Sequence, residues 1–258
     1  MNHRVVEHTF TQDDFNRFAA LSGDANPIHV DADFAARTRF GRTVAHGVLL
    51  ETVLRGLAGR FAPGARVSEQ ALRFCAPTFA DEPMRFEVWP EETRLNLRVS
   101  RLSDGTFTCD GHMVLADGPV VMTDARTLPA EVAPAPPGPL ALGMSAGLTR
   151  CFSAKDCAAY TALGGHAPLP GTVPEPLISA LFSTLLGMDL PGIGTNYLKQ
   201  ETTHHASART GEVVTARVTI TGLRLEKNLV DLATLCHGAD GRLIAEGRAL
   251  VYVRDVMR

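Results

Sequence analysis

The stretch FTQDDFNRFAALSGD, residues 10–24, lies without a gap over FSAKDCAAYTALGGH, residues 152–166. Phe10/Phe152, Asp14/Asp156, Ala20/Ala162, Leu21/Leu163 and Gly23/Gly165 coincide, and Thr11/Ser153 and Phe18/Tyr160 are near matches. A hydroxyl residue followed by helix-favouring sequence reads as a helix N-cap, so Thr11 and Ser153 each open a helix. After a gap of 13 residues in the second copy, TVAHGVLLETVLRGLAG (43–59) aligns with TVPEPLISALFSTLLGM (172–188). Both are apolar around most of their circumference, which marks a buried helix rather than a surface one. Order, spacing and residue type agree together, so the chain holds an internal duplication.

Strand-like segments follow each buried helix. In the first copy they fall near 67–75, 84–92, 94–102 and 106–116, and in the second near 196–204, 212–222, 229–237 and 242–253. Gly-bearing turns, SDGT and GADGR, precede the last strand of each set. Each copy is therefore a short helix, a buried helix and an antiparallel meander. A sheet wrapped around the apolar helix buries both apolar faces at once. Residues 128–140, LPAEVAPAPPGPL, contain five prolines and little that builds a core. They read as a semi-rigid connector. The expected organisation is a first unit over 1–127, a linker over 128–148 and a second unit over 149–258.

Composition narrows the class. Of the 258 residues 45% are hydrophobic and 21% charged, as in an ordinary globular protein. A net charge of -3, with no basic run interleaved with aromatics, argues against nucleic acid as partner. The longest apolar runs, near 48–58 and 176–190, are too short and interrupted to span a bilayer, and MNHRVVEHTF has no hydrophobic targeting core. Five cysteines with no CxxC spacing favour a reducing compartment over a disulfide framework or a structural zinc site. The expectation is a cytoplasmic protein.

The chemistry concentrates in SGDANPIHVD, residues 22–31, where Asp24, Asn26 and His29 surround one proline. Taken alone, DANP is also strong turn chemistry. The longer stretch SGDANPIHVDADFAARTRFGRTVAHGVLLETVL, with LRFCAPTFADEP after it, resembles the hydratase signature of the MaoC-like (R)-specific enoyl-CoA hydratases. The resemblance covers residues 10–116 closely and 150–253 in outline. It implies an α+β double hotdog fold, two hotdog units on one chain standing in for a homodimer. It also implies Asp24 and His29 as the catalytic pair, the Gly47 backbone N–H as donor to a thioester carbonyl, and an (R) product.

The roles fit the chemistry. Hydrating a 2-enoyl thioester needs a water deprotonated for attack at C3 and a proton delivered to C2, which two groups sharing one water can do. The enolate that develops on the thioester oxygen suits a helix N-terminal N–H. Asn26 either braces the loop or orients the water, and His46 is a helix-start, packing or substrate-binding residue. In the second copy Asp24 becomes His166, Gly47 becomes Pro176, and the counterpart of His29 falls in or beside the gap. Proline has no N–H to donate. One active site per chain is expected, with the second unit as its wall.

Other patterns carry less. GMSAG (143–147) matches the Gly-x-Ser-x-Gly elbow, but a nucleophile at Ser145 needs a strand before it and a helix directly after. Instead it reads as flexible linker. THH (203–205) with His237 has no facing carboxylate and reads as an edge-strand histidine pair. Arg37, Arg39 and Arg42 read as solvated charges or as attractors of carrier phosphates. The expected activity is a hydro-lyase on an enoyl thioester of CoA or acyl carrier protein, with no metal or redox cofactor, working as a monomeric pseudo-dimer or a homodimer. Rival readings are a hotdog thioesterase or enoyl isomerase, and a non-catalytic acyl-thioester-binding subunit.

Overall fold

The computed structural model describes residues 3–117, 133, 135 and 138–256. The first half runs β1 (Arg4–Thr9), α1 (Gln12–Ser22), α2 (Pro27–Val30), α3 (Ala32–Ala36), α4 (Gly47–Ala58), β2 (Arg66–Phe74), β3 (Pro83–Glu91), β4 (Arg94–Arg101) and β5 (Phe107–Ala116). The second runs β6 (Ser145–Cys151), α5 (Ala154–Ala162), α6 (Glu175–Thr184), β7 (Asn196–His204), β8 (Val213–Arg224), β9 (Leu229–Gly238) and β10 (Leu243–Tyr252). Thr11 and Ser153 each cap their helix through a reciprocal bond with the acid three residues on, Asp14 and Asp156.

All ten strands form one antiparallel sheet in the order β1-β3-β4-β5-β2-β7-β10-β9-β8-β6. The second five strands repeat the first five in mirror order, so the duplication appears in space as a pseudo-twofold relation. The seam is β2 against β7, in register from Glu69↔Thr203 to Arg73↔Lys199. Two central helices, α4 and α6, lie inside the curve of the sheet and contact each other. Leu49 and Leu54 of α4, with Leu177, Leu181 and Phe182 of α6, have no exposed surface. Burying each such side chain is worth about 1.5–3 kcal/mol, which is why apolar sequence all round these helices is stable only here.

Three expectations are corrected. The strands β1 and β6 were not legible in the sequence, because they are the two sheet edges and show little buried alternation. Ser145 therefore begins a strand, paired with Thr219, inside the stretch expected as linker, and no helix follows it directly. The rest of that connector lies largely outside the described residues. β7, which ends at His204 with His205 directly after it, is no edge strand: it pairs with both β2 and β10.

Candidate functional site

Between the halves lies a cavity of about 170 Å3. From the first half come Asp24, Asn26, His29, Gly47 and Phe74; from the second come Ser183, Leu186, Gly187 and Tyr197.

The segment that builds it is short and its local logic is plain. Asn26 is the N-cap of α2, its side chain accepting from the Ile28 N–H at 3.3 Å, and Pro27 supplies the first helical residue. This one-turn helix carries His29, whose Nδ1 lies 2.8 Å from the Val44 carbonyl. A carbonyl can only accept, so Nδ1 carries the hydrogen and Nε2 keeps a lone pair when the ring is neutral. Asp24 is buried, with its Oδ2 accepting from the Ser183 hydroxyl at 2.9 Å and its Oδ1 accepting from the Asn26 N–H at 3.4 Å.

Burial pushes the Asp24 carboxyl up from its ordinary range, against the opposing pull of His29, Ser183 and the Asn26 N–H. Burial likewise pushes His29 down, opposed by the Asp24 charge. The two shifts run in opposite directions, and burial favours the neutral form of each group.

His46 does not take the substrate-binding place considered for it. It is fully buried and absent from the cavity wall. Its Nε2 donates to the Asp24 carbonyl at 2.9 Å, and its ring stacks on His29 with centroids 3.7 Å apart and planes 26° apart. Burial and the neighbouring His29 hold it well below the usual histidine range. His46 is thus a neutral backing for both neighbours. Sequence adjacency to Gly47 gave no sign of which way its ring turned.

Gly47 is the first residue of α4, so its N–H has no partner within the helix. A Cβ here would stand 2.7 Å from the Phe74 ring. The observed need for glycine is therefore the aromatic ring pressed on its Cα. Asn26 does line the cavity, and its Nδ2 donates to the Gly187 carbonyl at 3.3 Å. Gly187 belongs to a π-helical turn, Leu185–Asp189, that continues α6.

Asp24, His29 and His46 each present one donor atom within 4.8 Å of the others, a set that a metal ion could be imagined to join. The stacking opposes it. Imidazole lone pairs lie in the ring plane, and one ion about 2.0–2.1 Å from nitrogens of two such stacked rings cannot lie in both planes.

The pseudo-symmetric position in the second half is closed. His166, where the first copy has Asp24, is 3.1 Å from the Tyr160 hydroxyl, and burial lowers it to about 4. Pro176 occupies the first turn of α6, and its neighbour Glu175 binds Arg55 Nε at 3.1 Å and the Val67 N–H at 2.8 Å. Only about 10 Å3 of space remains there. Between Ala162 and Glu175 no helix replaces α2 and α3.

Sequence reasoning missed Ser183, Gly187, Phe74 and Tyr197. Ser183 did leave a signal: Ser179 and Ser183 stand four apart in an otherwise apolar buried helix, and Ser179 donates to Glu51 at 3.0 Å as Ser183 does to Asp24.

Two antiparallel meanders, each around a central helix and fused through one seam, define a double hotdog protein. Comparison with solved structures agrees. A Mycobacterium tuberculosis protein described as a double hotdog fold superposes with a TM-score of 0.73 over 98% of this chain and 96% of that one, at 15% identity. The sequence profile of the MaoC like domain matches residues 2–104. An (R)-specific enoyl-CoA hydratase of Aeromonas caviae is 37% identical over 106 residues, 40% of this chain and 79% of that protein. A 3-hydroxybutyryl-CoA dehydratase of Methylorubrum extorquens is 31% identical over 146 residues, 55% of this chain and 87% of that protein. The chain belongs to the MaoC-like hydratase and dehydratase family. No helix among the described residues is long and apolar enough to cross a membrane.

Proposed function

We propose that the protein reversibly adds water to a trans-2-enoyl thioester of CoA or acyl carrier protein, giving the (R)-3-hydroxyacyl thioester. The observation that carries this reading is the convergence of Asp24, His29 and the Gly47 end of α4 on one cavity. A water held between the Asp24 carboxylate and His29 Nε2 gives up a proton as its oxygen bonds to C3. The C2–C3 π electrons move toward the thioester oxygen, where the Gly47 N–H meets the growing charge. The enolate then collapses and takes a proton at C2 from the same pair, so the water's atoms are all accounted for. The names of the Aeromonas and Methylorubrum relatives support the reaction class.

The test is crotonyl-CoA followed both by loss of enoyl absorbance and by free-thiol release. Hydration without thiol release, abolished in Asp24→Asn and His29→Ala, is the expected result. Thiol release without hydration makes the protein a thioesterase and ends this reading. Wild-type turnover in either variant removes that residue from its role.

A further inference from the structure

We propose that Arg39 anchors the phosphate at the outer end of the carrier's pantetheine arm, an assignment that rests on the hydration reading above. Arg39 follows α3 and is exposed, yet it lines the same cavity as Asp24 and His29. It is the sole lysine or arginine among the described residues that line this cavity. Its guanidinium sits 4.7 Å from the centroid of Phe40 and 5.0 Å from that of Tyr252, so both halves hold it.

Its neighbours in sequence and space are occupied differently. Arg42 is paired to Glu82 at 2.7 Å, Arg73 to Asp110 at 2.6 Å and Arg101 to Glu82 at 3.0 Å. Arg39 has no carboxylate partner among the described residues. A guanidinium held over two aromatic rings and bound to no carboxylate keeps N–H donors for a ligand, and its planar fork fits phosphate oxygens. The two ring contacts also reduce the side-chain freedom that binding would otherwise remove.

The ligand class follows from the direction of the substrate. The thioester must lie by Gly47, so the carrier leaves through the cavity that Arg39 lines. The first charged group along any pantetheine carrier, counting outward from sulfur, is its phosphate; the amides before it are neutral. CoA and acyl carrier protein share that phosphate.

The experiment compares crotonyl thioesters of pantetheine, 4′-phosphopantetheine, CoA and acyl carrier protein on the wild type, Arg39→Gln and Arg39→Lys. Arg39→Gln should raise KM about tenfold or more for the phosphate-bearing thioesters, as expected for losing a charge-assisted hydrogen bond. The rise should be absent for the pantetheine thioester, and Arg39→Lys, which keeps the charge without the fork, should fall between. The carrier thioester that the wild type turns over identifies the source of the phosphate. An equal rise with the pantetheine thioester, or none with the phosphopantetheine thioester, overturns the assignment. If the wild type hydrates none of the four, the hydration reading fails by itself. Calorimetry of CoA against pantetheine on the wild type and Arg39→Gln still reads Arg39: a CoA affinity lost in the variant supports the anchor, and an unchanged one overturns it.

Discussion

Ser183 of the second half donates its hydroxyl to Asp24 of the first at 2.9 Å, across 159 residues of sequence. The half that carries no Asp/His pair of its own thus fixes the acid of the half that does. Replacing Ser183 by alanine removes a hydrogen bond that favours the carboxylate, so the Asp24 pKa, already raised by burial, rises further. If the carboxylate is the working form, the acidic limb of the kcat/KM profile moves to higher pH in Ser183→Ala. A charge-assisted bond of this kind is worth about 1.5–3 kcal/mol, or roughly ten- to a hundredfold in rate. Ser183→Thr should recover part of it. A uniform loss of activity with an unmoved pH profile would make Ser183 a packing residue only.

Gly47 can be tested for its N–H and its space separately. Alanine at this site puts a Cβ 2.7 Å from Phe74, so Gly47→Ala alone should cost stability, about 1–3 kcal/mol for overpacking. Phe74→Leu in the same chain is expected to relieve that strain. Gly47→Pro with Phe74→Leu then removes the N–H while remaining compatible with the helix start, since His46 has φ -60 and ψ 136, the extended form that precedes proline readily. The alanine double variant should retain turnover, and the proline one should lose about a hundredfold or more in kcat. Equal activities in the two would eliminate the donor role of this amide.

These relations also explain what sequence could and could not reveal. The capping residues Thr11 and Ser153, the two buried helices and eight of the strands are local in origin, set by caps, turns and periodicity. Asp24, His29 and Gly47 were singled out by the resemblance to the hydratase signature, and they meet at one cavity. What escaped is non-local. Ser183 and Gly187 reach Asp24 and Asn26 only because α6 packs across the pseudo-twofold relation, which no spacing within one copy encodes. β1 and β6 escaped because an edge strand buries too little to impose alternation.

The closed second position gives a stability prediction. Arg55 is 1% exposed and is the cation that holds the Glu175 carboxyl below its usual range, against burial. Arg55→Ala leaves a carboxylate that is only 15% exposed without its cation, and should cost about 2–4 kcal/mol in urea unfolding. Arg55→Met with Glu175→Gln removes both charges and keeps an acceptor for the Val67 N–H, so it should lie much closer to wild type. Comparable losses in the two variants would show that shape, not charge pairing, closes this position.

Glu51 provides the clearest pH signature. It is buried on α4 and bonded to Ser179 across the two helices, with Gln70 beside it and with Glu175 and Arg55 as charged neighbours. Burial raises its carboxyl from 4.5 to about 7, against the pull of Gln70 and Ser179. The folded protein therefore holds this proton more tightly than the unfolded chain. The stability it contributes is fully present below about 4.5 and is lost as pH rises through about 7. Glu51→Gln stays neutral throughout, so its stability relative to wild type should climb by about 2 kcal/mol between pH 5 and pH 8. Urea midpoints for both proteins at the two pH values measure the change. A difference that stays constant, or shrinks, would mean that Glu51 is already ionised in the fold at pH 5 and that Ser179 and Arg55 outweigh its burial.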